Sequence, residues 1–178
     1  MEGRGTGTAG EAKAAAWIAD RFKSAGLVPL GDDFLQPVSL VGTKKAVTSN
    51  LVLKGSDGEI PYENETNLTY WSTAQRPSLS LNEAPLLFVG YGVEAPEYGW
   101  DDYKGVDCKG KILVFLNNDP QTGNPAEFGG ESRTYYGRYT YKFEQAMARG
   151  AAGAIIIHTT PSAGYGWNVI GHNGSEEH

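Results

Sequence analysis

The chain has 178 residues, 40% of them hydrophobic and 20% charged, with a net charge of −6. That length can bury one core plus an appendage; its apolar runs are too short to span a bilayer, and its scattered basic residues give no face suited to phosphates, so neither membrane nor nucleic acid is expected as a partner. The single cysteine, Cys108, excludes an internal disulfide and cannot by itself build a thiolate zinc site.

Thr8-Ala9-Gly10-Glu11 is a capping box: the Thr8 hydroxyl would accept from the Glu11 amide while the Glu11 carboxylate reaches back to the Thr8 amide. It predicts an amphipathic helix from Ala9 to Ala25, with Ala14, Trp17, Ile18, Phe22 and Ala25 on one face and Gly26 as its stop. No second long helical pattern lies nearby to cover that stripe. After Leu30 the character changes to short apolar runs between Gly, Pro, Asn and Ser: Phe34 to Val41, Ala46 to Leu53, Leu79 to Leu81, Leu86 to Val93 and Lys111 to Leu116. These predict a mainly β body with some α, an α+β chain in which helix is the minority. The polar segment from Ser56 to Asn82 is expected to cross a surface, and Asn117 to Gly130 is a long loop of the kind that is functional or mobile. Tyr139, Phe143, Ala146 and Met147 predict a second helix stopped by Gly150, running directly into a buried strand, Ala154-Ile155-Ile156-Ile157. Gly171 to His178 reads as a frayed polar tail.

Signatures of known chemistry are absent from the sequence: no His-Glu-x-x-His, no phosphate-binding Gly-x-x-x-x-Gly-Lys-Ser/Thr, no Gly-x-Ser-x-Gly. Of the three histidines, His158 closes a strand and is better read as structural than as a ligand, and His172 and His178 lie in the tail. Asp101 and Asp102 could act as an acid and base pair, but adjacent side chains in an extended segment diverge, and turn chemistry is the favoured reading. The cluster Tyr135, Tyr136, Arg138, Tyr139 and Tyr141 could stack on a peptide or sugar, or pack the second helix onto the sheet.

Two long segments carry a resemblance. Phe88-Val89-Gly90-Tyr91-Gly92-Val93 with Ala95-Pro96-Glu97-Tyr98-Gly99-Trp100-Asp101-Asp102-Tyr103, Lys109-Gly110-Lys111-Ile112 and Asn118-Asp119-Pro120 form the first. Tyr135-Tyr136-Gly137-Arg138-Tyr139-Thr140-Tyr141-Lys142 followed by Arg149-Gly150-Ala151-Ala152-Gly153-Ala154 form the second. Together they resemble the protease-associated domain inserted in bacterial di-zinc aminopeptidases, whose relatives include leucyl and glutamyl exopeptidases, glutamate carboxypeptidase and the transferrin receptor.

The resemblance implies a β-sandwich or open barrel with short helices over residues 31–170. Residues 1–30 would be the opening of the peptidase domain, with Trp17, Ile18 and Phe22 packing against the rest of it, and residues 171–178 a tail. It implies a noncatalytic part of a secreted or periplasmic zinc aminopeptidase whose signal peptide lies upstream, modulating substrate access or binding peptide. Its partners would be its own peptidase catalytic domain and a peptide substrate, and Trp100, Asp101, Asp102, Tyr103, Tyr135, Tyr136, Arg138 and Tyr141 are the candidate contact residues. The two zinc ions of the family belong to ligands that follow the inserted domain and match nothing here, so no metal or catalytic residue is assigned to this chain, which is expected to be inactive alone. The alternative is a free-standing module that binds peptide or protein without a peptidase partner.

Overall fold

The structure, a computed structural model, describes residues 3–41, 51–63, 66–70, 72, 74 and 76–173, the last two without their side chains. Its contacts divide into two compact units, Met1–Gly42 and Thr43–His178, taken separately below.

In the first unit helix α1, Ala9–Ser24, begins where the capping box puts it, with the Glu11 amide donating to Thr8 Oγ1 at 3.3 Å. The reciprocal arm differs from expectation. Thr8 N donates to the Gly5 carbonyl in a preceding turn, so the Glu11 carboxylate takes the next available donor, Gly7 N. Ala14 and Ala19 are buried, whereas Trp17, Ile18 and Phe22 are exposed; Phe22 lies 5.9 Å from the Phe34 ring, and the Arg21 guanidinium sits over Trp17. Phe34 to Val41 forms no strand.

The second unit starts with a hairpin, β1 (Leu51–Gly55) and β2 (Gly58–Tyr62), in which Gly55 faces Gly58 across a two-residue turn. The residues before Leu51 in the predicted Ala46 to Leu53 strand lie outside the described ones. β2 falls in the polar segment expected to cross a surface, where no strand is predicted; the Asp57-Gly58 pair is the hairpin signal, since Gly58 holds a φ of 120° that a side chain would resist. Leu79 to Leu81 forms no strand.

β3 (Leu86–Phe88), β6 (Ile112–Leu116) and β7 (Gly153–Ile157) then make a parallel sheet in the order β3-β6-β7. Between β3 and β6 the chain makes a small antiparallel ladder, β4 (Glu94–Ala95) and β5 (Trp100–Asp101), around a 3-10 turn at Pro96–Tyr98. Between β6 and β7 it makes helix α2, Tyr139–Ala148, which ends at Gly150 in a left-handed conformation. Short helices α3 (Thr160–Ala163) and α4 (Trp167–Asn173) follow β7, so part of the predicted tail is helical, and residues 174–178 lie outside the described ones.

β3 is shorter than predicted because Gly90 and Gly92 both take positive φ, and Gly92 N turns back onto the Val89 carbonyl at 2.7 Å. β7 is only half-buried, with Ile157 exposed, because it lies at the sheet's edge rather than its centre. Among the described residues the chain is therefore α+β with more helix than strand, rather than mainly β with helix the minority, and the small sheets close no barrel. Two apolar clusters hold this unit together. Val89, Tyr103, Cys108, Leu113, Phe115 and Ala146 pack between α2 and the sheet, and Val93, Ala95, Phe128 and Tyr141 gather Tyr91, Tyr98, Trp100 and Tyr136 around them.

Candidate functional site

The segment from Trp100 to Tyr103 is held by its own carboxylates. Asp101 Oδ1 accepts from Tyr103 N at 2.8 Å, and Asp102 Oδ2 accepts from Val93 N at 2.9 Å while Asp102 N returns a bond to the Val93 carbonyl. The two side chains are thus anchored to different backbone donors, which is turn chemistry and not an acid and base pair. Tyr103 is buried and donates to the Gly92 carbonyl at 3.0 Å, and burial pushes its phenol far above the usual range. The Arg149 guanidinium lies 3.6 Å over that ring and also pairs with Glu94.

The tyrosine cluster divides in two. Tyr136 donates to Glu97 Oε1 at 2.6 Å; the carboxylate beside it raises its phenol to about 12, and the phenol in turn holds Glu97 below the usual carboxylate range. Tyr141 is buried and accepts from Glu94 N at 3.3 Å, and its phenol is raised by burial. Tyr136, Tyr141, Trp100 and Phe128 form a run of edge-on ring contacts 5.2–5.8 Å apart. Tyr135 extends this run with an edge-on contact to Tyr141 at 5.8 Å, yet it is largely exposed and donates to Glu144, and Arg138 is exposed at the start of α2. Of the eight candidate contact residues, Trp100, Tyr136 and Tyr141 are therefore brought together in one cluster, Tyr103 belongs to the other cluster, and Tyr135 and Arg138 face outward. Phe128, fully buried in this cluster, pins the long loop after β6.

A di-zinc centre does not fit these residues. Glu94 pairs with Arg149, Glu97 accepts from Tyr136, and both aspartates hold backbone amides. His158 Nε2 lies 3.1 Å from the Tyr165 carbonyl, its ring beside Tyr165 and Trp167. Among the described residues no three His, Cys, Asp or Glu side chains converge.

Two features escaped the sequence. Lys142 is fully buried: its Nζ donates to the carbonyls of Asn118 at 3.1 Å and Tyr136 at 2.7 Å, and burial pushes its ammonium down to about 8. Buried Asp119, whose charge works the other way on Lys142, accepts from Thr134 N at 2.8 Å and Thr134 Oγ1 at 2.7 Å. Together these groups tie the loop after β6 and the turn before α2 to the helix. Above them an open cleft of about 480 Å³ is lined by Tyr91, Asn117, Asn118, Glu131, Thr159 and Ser162 among others. It lies at the carboxyl ends of the three parallel strands, the usual place for a site in an open α/β sheet. The polar runs Asn117-Asn118-Asp119 after β6 and Thr159-Thr160 after β7 would have marked it, had the sequence shown that these strands run parallel.

No described helix is long and apolar enough to cross a membrane. Comparison with family models, curated proteins and solved structures finds no match to this chain.

Proposed function

We propose that residues 31–170 are a noncatalytic module of the protease-associated type, belonging to an exported zinc aminopeptidase and acting on peptide access or peptide binding. The observation that carries this reading is how the resembling segments are used. Glu97 meets Tyr136, Glu94 meets Tyr141, and Glu94 meets Arg149, pairs 39, 47 and 55 positions apart. Glu97 and Tyr136 join the two resembling segments directly, and Glu94, which lies between runs of the first, ties it to Tyr141 and Arg149 of the second; this supports a motif that specifies a module rather than a reaction centre. The exposed Trp17, Ile18 and Phe22 on α1 support a second part of the reading, in which residues 1–30 open the peptidase domain and this face packs against the remainder of it. The two zinc ions would belong to that domain, and no step of the chemistry is assigned to this chain.

The test is an aminopeptidase assay of the longest natural polypeptide that contains this chain, with zinc and after chelation, alongside the same polypeptide lacking residues 31–170. Zinc-dependent release of amino-terminal residues, with the deletion altering KM across peptides of different length, is the expected result. A polypeptide with no such activity refutes the assignment, as does full activity from the 178-residue chain alone.

A further inference from the structure

We propose that the cleft at the carboxyl ends of β3, β6 and β7 binds the amino-terminal end of a peptide, with Glu131 receiving its ammonium group and Asn117 and Asn118 holding its first peptide bond. This rests on the reading of the module as peptide-binding and names the place and the part of the peptide.

Most of the charged and hydroxyl groups in and beside the cleft are already engaged. Asp119 has both oxygens on Thr134 and is buried beside Lys142, so it lends the cleft no free charge. Arg133, at its margin, donates to Asn118 Oδ1 and to the carbonyls of Ser162 and Ala163. Thr159 and Ser162 hydrogen-bond each other in capping α3. Glu131 is exposed and, among the described residues, makes no hydrogen bond or ion pair. The cleft therefore offers one uncommitted negative charge and no uncommitted cation.

Around that carboxylate the chemistry is that of amides. Asn117 Oδ1 accepts from Asn118 N and Asn118 Oδ1 from Arg133, which leaves the side-chain N–H groups of both asparagines to donate. Tyr91 also lines the cleft. A ligand that matches must carry a cation with carbonyl oxygens close behind it, which is the pattern at a peptide's amino terminus. The volume suits such an end rather than a long chain. Lys142 Nζ holds the Asn118 carbonyl at 3.1 Å, which ties this lining residue to α2.

The test is a titration of the isotope-labelled 178-residue chain, followed by amide chemical shifts. The probes are tetra-alanine with a free amino terminus, its N-acetylated form, and N-acetyl-lysine amide. Tetra-alanine should shift the amides of Asn117, Asn118, Glu131 and Ser132. N-acetylation, and separately the Glu131→Gln variant, should each weaken binding by roughly tenfold, the value of a charged hydrogen bond. Glu131 is exposed and makes no internal bond, so the variant keeps the fold. Shifts centred on Trp100 and Arg138 would overturn this site while leaving peptide binding intact. Insensitivity to N-acetylation and to Glu131→Gln would overturn the amino-terminal assignment, as would N-acetyl-lysine amide binding as tightly as tetra-alanine. Failure of every probe to shift any amide would overturn this site together with the peptide-binding part of the reading, whereas the aminopeptidase assay tests the parent enzyme independently.

Discussion

Replacing Lys142 by methionine removes a fully buried charge from the point where α2 meets two loops. In the native chain Nζ donates to two carbonyls, and burial brings the ammonium down to about 8 from its ordinary value of 10.5. Below about pH 8 the lysine is protonated in both states, and the fold bears the full cost of keeping the charge from water. As pH rises the folded lysine loses its proton first, so the unfolded chain holds more protons and stability increases through the window up to 10.5. The neutral amine still has two N–H groups for its two carbonyls, so the clasp survives the titration. Between about pH 8 and about pH 10 this amounts to a gain of about 2 kcal/mol. Lys142→Met has no such gain, and it leaves two carbonyls without a donor and Asp119 without its counter-charge, at a cost of about 3 kcal/mol near neutral pH. Urea denaturation of both proteins across this range reads the difference directly: the gap should widen by about 2 kcal/mol towards pH 10. A gap that stays constant or narrows would refute the reasoning, because it would mean that the folded lysine titrates like an exposed one.

Three further perturbations follow from the same contacts. Gly92 has a φ of 61°, and a Cβ there would lie 2.2 Å from the Phe115 ring, so Gly92→Ala should cost at least about 3 kcal/mol in chemical denaturation. Tyr136 should ionise at about 12 in an ultraviolet titration, and Glu97→Gln should bring that phenol back down by removing the carboxylate it donates to. Arg149→Met should cost about 1–2 kcal/mol, and only part of that loss should disappear in high salt, because the stacking on Tyr103 survives where the pairing with Glu94 is screened.

Local signals read well where one residue type has one physical use. The Thr8 cap and the stop of α2 at Gly150 came from side-chain identity, α2 itself from the spacing of Tyr139, Phe143, Ala146 and Met147, and each stands within a residue or two of its expected place. Pairing direction was not legible. Leu86 to Phe88 and Ile112 to Leu116 are apolar runs that could pair either way, and the direction follows from the long connection between them rather than from either strand. Phe34 to Val41 has the composition of a strand but forms none, since composition supplies no partner edge. The buried ion was hidden for a different reason: a lysine between Tyr141 and Phe143 on an aromatic helix reads as the solvated position. Only the carbonyls of Asn118 and Tyr136, brought over from two loops, make its burial tolerable.

The same division separates the candidate contact residues from the cleft. Trp100, Asp102, Tyr103, Tyr136 and Tyr141 stood out because aromatic and acidic side chains are conspicuous in a sequence, but most of their polar atoms are used to hold loops to one another. The cleft is lined mostly by amide and hydroxyl side chains, with Tyr91, Asp119 and Glu131 among them, types whose meeting at one place only the fold reveals, and several of their polar groups remain available to a ligand. Asp119 and Lys142 connect the two sets. Tyr136 belongs to the aromatic cluster and Asn118 to the cleft, and one buried ammonium donates to both carbonyls. A change that loosens the aromatic cluster should therefore displace Asn118 in the cleft through Lys142, whereas Glu131→Gln, at the cleft rim, should leave the aromatic cluster and its phenol titrations untouched.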